Sequence, residues 1–161
     1  MIMNKFHPLT ITSINRLTAD AVAISFNVSN NTLFQFEAGQ YITIKKDING
    51  EEVRRAYSIC SMNSEGVTIG VKKVETGRMS SFLTQSVKEG DVLNVMPPSG
   101  NFVIKGDNKH IVGICAGSGV TPIIAMIKTE LAKPSDAKFT LIYGNKTKDS
   151  SMFAEELHQL Q

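Results

Sequence analysis

The apolar pattern of this chain changes period near Asn108, and that change restricts it to two dissimilar halves. Before Asn108 the apolar residues come in short alternating runs. Val22, Ile24, Phe26 and Val28 share one face of an extended segment, and residues 9–14 alternate in part. Residues 41–45, 67–72 and 92–96 repeat the theme. Turn signals separate the runs: Ser29-Asn30-Asn31, Glu37-Ala38-Gly39, Asn49-Gly50, Ser64-Glu65-Gly66, Glu89-Gly90-Asp91 and Pro97-Pro98-Ser99-Gly100. Short strands joined by regular turns predict an antiparallel barrel or sandwich, with one helix inserted near residues 80–87.

After Asn108 the run Ile111-Val112-Gly113-Ile114-Cys115-Ala116 is continuous, as in a parallel strand buried on both faces. Thr121 is placed to cap the next helix, with Pro122 at its first position. Ile123, Ile124, Ile127 and Leu131 recur at helical spacing, Phe139–Tyr143 reads as a second strand, and Phe153, Leu157 and Leu160 mark a second helix. This β-α-β-α order opens a doubly wound sheet. Two strands leave an open edge, so the natural protein is expected to continue past Gln161. Otherwise a partner, for instance a second copy of the chain, covers that edge.

Several function classes are excluded. Lys and Arg are scattered, with short pairs such as Arg54-Arg55 and Lys72-Lys73, and form no stripe that would footprint on nucleic acid. Cys60 and Cys115 form no CxxC and sit among apolar residues, which predicts buried reduced thiols in a cytoplasmic protein. His7, His110 and His158 have no ligand spacing, so no metal site is expected. The opening residues lack the apolar stretch of a signal peptide. Residues 111–127 carry no charge, but glycines and Pro122 break them well short of a membrane span.

Three motifs carry chemistry. In Arg55-Ala56-Tyr57-Ser58 a guanidinium and a flat aromatic share one face of a strand, which suits a ligand with both a phosphate and a ring system. Gly77-Arg78-Met79-Ser80-Ser81 opens a helix, where free N–H groups and the positive dipole end favour an anion. The same residues also serve as a plain helix cap. Ala116-Gly117-Ser118-Gly119-Val120-Thr121-Pro122 follows a buried strand and opens a helix, the setting of a phosphate-cradling loop, with Pro122 where a third glycine would stand.

In this order and on these elements the motifs resemble the flavin-dependent ferredoxin–NADP reductase superfamily, over essentially all 161 residues. Phe6-His7-Pro8-Leu9-Thr10 and residues 18–28 look most like reductase components of multicomponent oxygenases, of the phenylacetyl-CoA oxygenase and phenol hydroxylase type. The resemblance implies a six-stranded antiparallel Greek-key FAD-binding β-barrel over residues 1–107. The first half of a doubly wound parallel α/β NAD(P)-binding domain would follow over residues 108–161.

By that resemblance Arg55 pairs with the FAD pyrophosphate, Tyr57 stacks on the isoalloxazine, and Ser58 lies near the hydride-accepting N5. Val71, Lys72 and Val74 line the ribityl and phosphate side, while Gly77, Met79, Ser80 and Ser81 surround the pyrophosphate. Gly117, Ser118, Gly119 and Pro122 form the nicotinamide-side loop, with Thr121 where flavin and nicotinamide meet, and residues 143–147 form the adenosine side. Tyr57, Ser58 and Thr121 are the implied catalytic residues. The implied reaction carries electrons from NAD(P)H through FAD to an iron–sulfur domain or oxygenase protein. No C-x4-C-x2-C run occurs here, so any cluster lies outside this chain. An electron-transfer subunit of the dihydroorotate dehydrogenase type and a non-catalytic flavin-binding module are the alternatives. Lys146 and Lys148 suit either a 2′-phosphate or a plain solvated loop, which leaves NADH and NADPH undecided.

Overall fold

The computed structural model of the protein describes residues 5–29, 31–134 and 136–161. Met1–Asn4 and Asn30, part of the expected turn at Ser29-Asn30-Asn31, lie outside the described residues.

Six strands form one antiparallel sheet: β1 (His7–Thr18), β2 (Ala21–Phe26), β3 (Tyr41–Ile48), β4 (Glu51–Ser58), β5 (Thr68–Lys72) and β6 (Val92–Ser99). Their order is β4-β3-β6-β1-β2-β5. The sheet curls until its end strands meet at a single bridge, Ile59 to Ile69. Alternation explains the interior. Val22, Ile24, Ile42, Ile44, Ile69 and Val71 all point inward and are fully buried, and α1 (Arg78–Gln85) closes one mouth with Met79 and Leu83.

Turn chemistry sets the register that matters most. Asn49 and Gly50 both have positive φ, 57° and 80°, as a two-residue hairpin of the primed type requires. Asp47 accepts the Gly50 N–H at 3.0 Å. The hairpin pairs Ile48 with Glu51, which places Arg55 opposite Ile44 and Tyr57 opposite Ile42. Arg55 and Tyr57 therefore project on the face that holds the core, at the rim where the barrel opens.

The second unit comprises β7 (His110–Ala116), α2 (Val120–Leu131), β8 (Lys138–Gly144) and α3 (Ala154–Gln159), with β7 and β8 parallel and in register from His110–Lys138 to Ala116–Gly144. This is the expected order of a barrel followed by the start of a doubly wound α/β unit. The expectation that β7 is buried on both faces is corrected. Phe139, Leu141 and Cys115 pack under α2 and α3, but Val112, Ile114 and Ile142 on the other face are 55%, 73% and 56% exposed. Both described helices of this unit lie on one side of the pair, so alternation leaves the opposite side chains bare. The helix cap is also corrected. A 3-10 turn, Gly117–Gly119, precedes α2, and Thr121 lies inside the helix with its hydroxyl donating to the Ser118 carbonyl at 2.9 Å.

The two units share an apolar seam. β2 is buried on both faces because Ala21 and Ala23, between its inward Val22 and Ile24, admit Val120, Ile124, Met152 and Phe153. Lys128 of α2 spans the seam, with Nζ 2.7 Å from Glu65 and 3.0 Å from Glu156. Among the described residues no helix is long and apolar enough to cross a membrane, and no group of His, Cys, Asp and Glu is placed to hold a metal.

Candidate functional site

Beyond the Ile59–Ile69 bridge no ladder joins β4 to β5, and the gap opens as a cleft of about 630 Å³. That volume lies in the range of small-molecule and cofactor sites. One wall is Arg55, Ala56, Tyr57 and Ser58; the other is Gly70 and Lys72. The turn through Val74, Thr76 and Gly77 floors one end, with Met79 and Ser80 of α1, and Ser118, Gly119, Thr121 and Pro122 roof the other.

The Tyr57 ring is half-buried against the barrel core. Burial pushes its phenol up to about 12, with the Arg55 charge pulling the other way, so the hydroxyl stays neutral across the physiological range. Arg55 is exposed. Its Nη1 donates to the Arg54 carbonyl at 2.7 Å, and it makes no ion pair among the described residues. Its neighbours differ: Arg54 holds Glu52 at 2.6 Å and Arg78 holds Glu51 at 2.5 Å. Among the described residues the Arg55 guanidinium is thus the cation of this wall without an ion pair, and no carboxylate lines the cleft. Lys72 adds a second charge, although its Nζ is turned toward the Ser150 carbonyl (2.9 Å) and Asp20 (3.7 Å).

The α1 end of the cleft is built around Gly77. A Cβ there would collide with Ser80 Oγ. That hydroxyl accepts the Val74 N–H and donates to the Gly77 carbonyl, both at 3.1 Å, so it shapes the turn and is not a free donor. The first-turn N–H groups of α1 have no acceptor within the helix and carry the positive end of its dipole.

The structure brings together Arg55, Tyr57, Ser58, Lys72, Val74 and Gly77, and with them Met79, Ser80, Ser118, Gly119, Thr121 and Pro122. Three expected residues stand apart. The Val71 side chain is fully buried in the barrel core, because it alternates with Gly70 and Lys72. Ser81, one step round the helix, faces a neighbouring hollow with Arg78 and Phe82. Gly117 sits behind Ser118 and does not line the cleft. Ala56, Gly70 and Thr76 line it as well, outside the expected set. Gly70 carried a signal, since a glycine inside a strand marks a close approach.

An unpaired guanidinium, a half-buried aromatic ring and free helix N–H groups converge on one cleft without a carboxylate. That donor set fits a dinucleotide whose pyrophosphate and ring system need cations, N–H donors and an aromatic wall, so FAD fits the residues present.

Comparison with known proteins agrees. The oxidoreductase FAD-binding domain matches residues 8–104 and the oxidoreductase NAD-binding domain matches residues 114–161. The chain is 39% identical over 165 residues to a component of the 1,2-phenylacetyl-CoA epoxidase of Escherichia coli (strain K12), covering 99% of this chain and 46% of that protein. It is 42% identical over 113 residues to a flavohemoprotein of Pseudomonas aeruginosa, covering 70% of this chain and 29% of that protein. It superposes on the solved structure of phthalate dioxygenase reductase with a TM-score of 0.81 and 28% identity, over 94% of this chain and 47% of that one. The chain thus spans less than half the length of these curated relatives.

Proposed function

The chain belongs to the ferredoxin–NADP reductase family of FAD-binding and NAD-binding oxidoreductases, and from that premise we propose that it moves electrons from NAD(P)H through FAD to an iron–sulfur acceptor, as the reductase component of a multicomponent oxygenase. The observation that carries the reading is the unpaired Arg55 guanidinium beside the Tyr57 ring, across one cleft from the free N–H groups of α1. The acceptor class is supported by the phthalate dioxygenase reductase structure, described as modular for electron transfer from pyridine nucleotides to [2Fe-2S]. Identity over the full span favours the oxygenase reductase: the epoxidase component is 39% identical over 99% of the chain, whereas a flavohemoprotein that also spans nearly all of it, that of Candida albicans, is 30% identical over 92%.

When bound, FAD supplies the hydride-accepting and single-electron chemistry. The chain's residues bind and orient it. Arg55 would hold phosphate oxygens through a planar fork, and the first-turn N–H groups beside Met79 and Ser80 would hold the remainder. Tyr57 would pack on the ring system and exclude water. Ser58, Thr121, Ser118 and Gly119 line the same cleft, where the hydroxyls would border the flavin and the loop N–H groups would serve the nicotinamide side. We place the domain boundary near residue 107, between the two family matches. Unbridged Cys60 and Cys115 suit a reducing compartment, so the cytoplasm is the proposed location.

The test is anaerobic. The purified chain is loaded with FAD, then titrated with NADH and NADPH while the flavin absorbance is followed, with a plant-type ferredoxin as final acceptor. Bleaching by one nucleotide followed by ferredoxin reduction is the expected result. A chain that takes up no FAD sinks the proposal.

A further inference from the structure

Tyr143 is the penultimate residue of β8, yet its hydroxyl serves the loop that leaves β7. The hydroxyl donates to the Gly117 carbonyl at 3.0 Å and accepts the Met152 N–H at 3.1 Å. The Gly117 carbonyl also receives the Val120 N–H, as does the Ser118 carbonyl, which takes the Thr121 hydroxyl as well. Both loop carbonyls are therefore drawn toward donors on β8 and α2. In a trans peptide the next N–H points the opposite way. The N–H groups of Ser118 and Gly119 are thus turned from those donors, and both residues line the cleft. Gly117 has φ of +51°, and a Cβ there would meet nothing within 4 Å. Space does not hold this conformation, whereas the Tyr143 bond acts directly on its carbonyl.

The same hydroxyl reaches the seam. Met152, whose N–H it accepts, is fully buried, and its Cε lies 3.2 Å from the Cβ position of Gly70. One phenol thus links the nucleotide loop to a residue packed on β5, which walls the cleft.

We infer that Tyr143 is a positioning residue for the pyridine nucleotide: its hydroxyl, and not its ring, sets the orientation of Gly117–Gly119 and ties that loop to Met152 at the seam. The inference rests on the proposed NAD(P)H site. It assigns to the end of β8 a task on the nicotinamide side in addition to any contact with adenosine.

Tyr143→Phe keeps the ring and removes the tie. Binding of NAD+ and NADP+ to the FAD-loaded chain is measured by calorimetry, and amide hydrogen exchange is followed at Val120 and Met152. Loss of these two part-buried hydrogen bonds predicts about tenfold weaker nucleotide binding and about tenfold faster exchange at both amides. FAD content and exchange at Ile44 stay unchanged. Leu157→Ala, which loosens the packing under β7 and β8 without touching the tie, serves as the comparison and is expected to bind nucleotide within about twofold of the parent. Parental binding and exchange in Tyr143→Phe overturn the inference, and so does an equal loss in Leu157→Ala. A parent that binds FAD but no nucleotide overturns the proposed NAD(P)H site, while the exchange at Val120 and Met152 still decides whether the hydroxyl holds the loop.

Discussion

Gly70 of β5 lies directly under Thr121 of α2: a Cβ on Gly70 would collide with Thr121 Cγ2, with Met152 Cε at 3.2 Å and Phe153 Cζ at 3.3 Å. The start of α2 can rest on the barrel because this strand position has no side chain. That contact brings Ser118, Gly119 and Thr121 over the same cleft as Tyr57 and Ser58.

Gly70→Ala tests this directly. The Gly70 backbone does not have the positive φ that favours glycine, so alanine is allowed there and only space opposes it. Overpacking of this kind costs about 1–3 kcal/mol. The variant is expected to lose that stability in urea unfolding. Because the misfit falls between Gly70 and Thr121, at the α2 end of the cleft and away from Arg55 and the α1 N–H groups, flavin reduction by NAD(P)H should slow more than FAD affinity falls. Equal losses in both would show that the seam does not position the nucleotide loop.

Arg55→Ala should separate binding from folding. The guanidinium is exposed and, among the described residues, its hydrogen bond is to its neighbour's carbonyl, so stability should stay within about 0.5 kcal/mol of the parent. Losing charged hydrogen bonds to phosphate, at about 1.5–3 kcal/mol, predicts FAD affinity lower by about 10–100-fold, read by flavin fluorescence quenching. Arg55→Lys should restore only part of it, because an ammonium lacks the planar fork.

Much of this architecture was legible in the sequence because its signals are local. The Asn49-Gly50 hairpin pins the register of Arg55 and Tyr57, and alternation in residues 21–28 finds the core face of β2. What escaped depends on packing between distant segments. Ala21 and Ala23 look like the solvent face of an alternating strand until α2 covers them. Val71 and Lys72 adjoin in sequence, but strand alternation sends one to the core and the other to the cleft. Ser80 and Ser81 differ by one helical step, which separates a residue on the cleft from one beside it. The bare face of Val112, Ile114 and Ile142 reads as core, since apolar composition does not report which side a helix takes.

Lys128 is the one cation joining Glu65 of the barrel side to Glu156 of α3 among the described residues. Burial works against its ammonium, but the hydrogen bonds it donates to the two carboxylates outweigh that and hold its pKa above the ordinary lysine range. Both carboxylates keep access to water, so Lys128→Met should cost only about 0.5–1 kcal/mol, and less at high salt. Urea unfolding at low and high ionic strength checks it. A cost that does not shrink with salt would assign the effect to packing.

The Cys60 thiol gives the protein an alkaline weakness. Burial, with the Glu156 charge adding to it, pushes the thiol up to about 12, and it donates to the Thr68 carbonyl at 3.3 Å. An unfolded cysteine titrates near about 8.5. Between these values the unfolded chain has lost a proton that the folded chain keeps. Stability is therefore full below about pH 8.5 and falls as pH rises toward 12, at up to about 1.4 kcal/mol per unit from this group. Tyr57 acts in the same direction over a narrower window, from about 10 to about 12. Cys60→Ala should flatten the decline that begins near about pH 8.5, whereas Tyr57→Phe should change only the part above about pH 10. Urea midpoints measured from about pH 7 to about pH 11 distinguish the two, and a Cys60→Ala curve parallel to the parent's would show that the thiol titrates alike in the folded and unfolded chain.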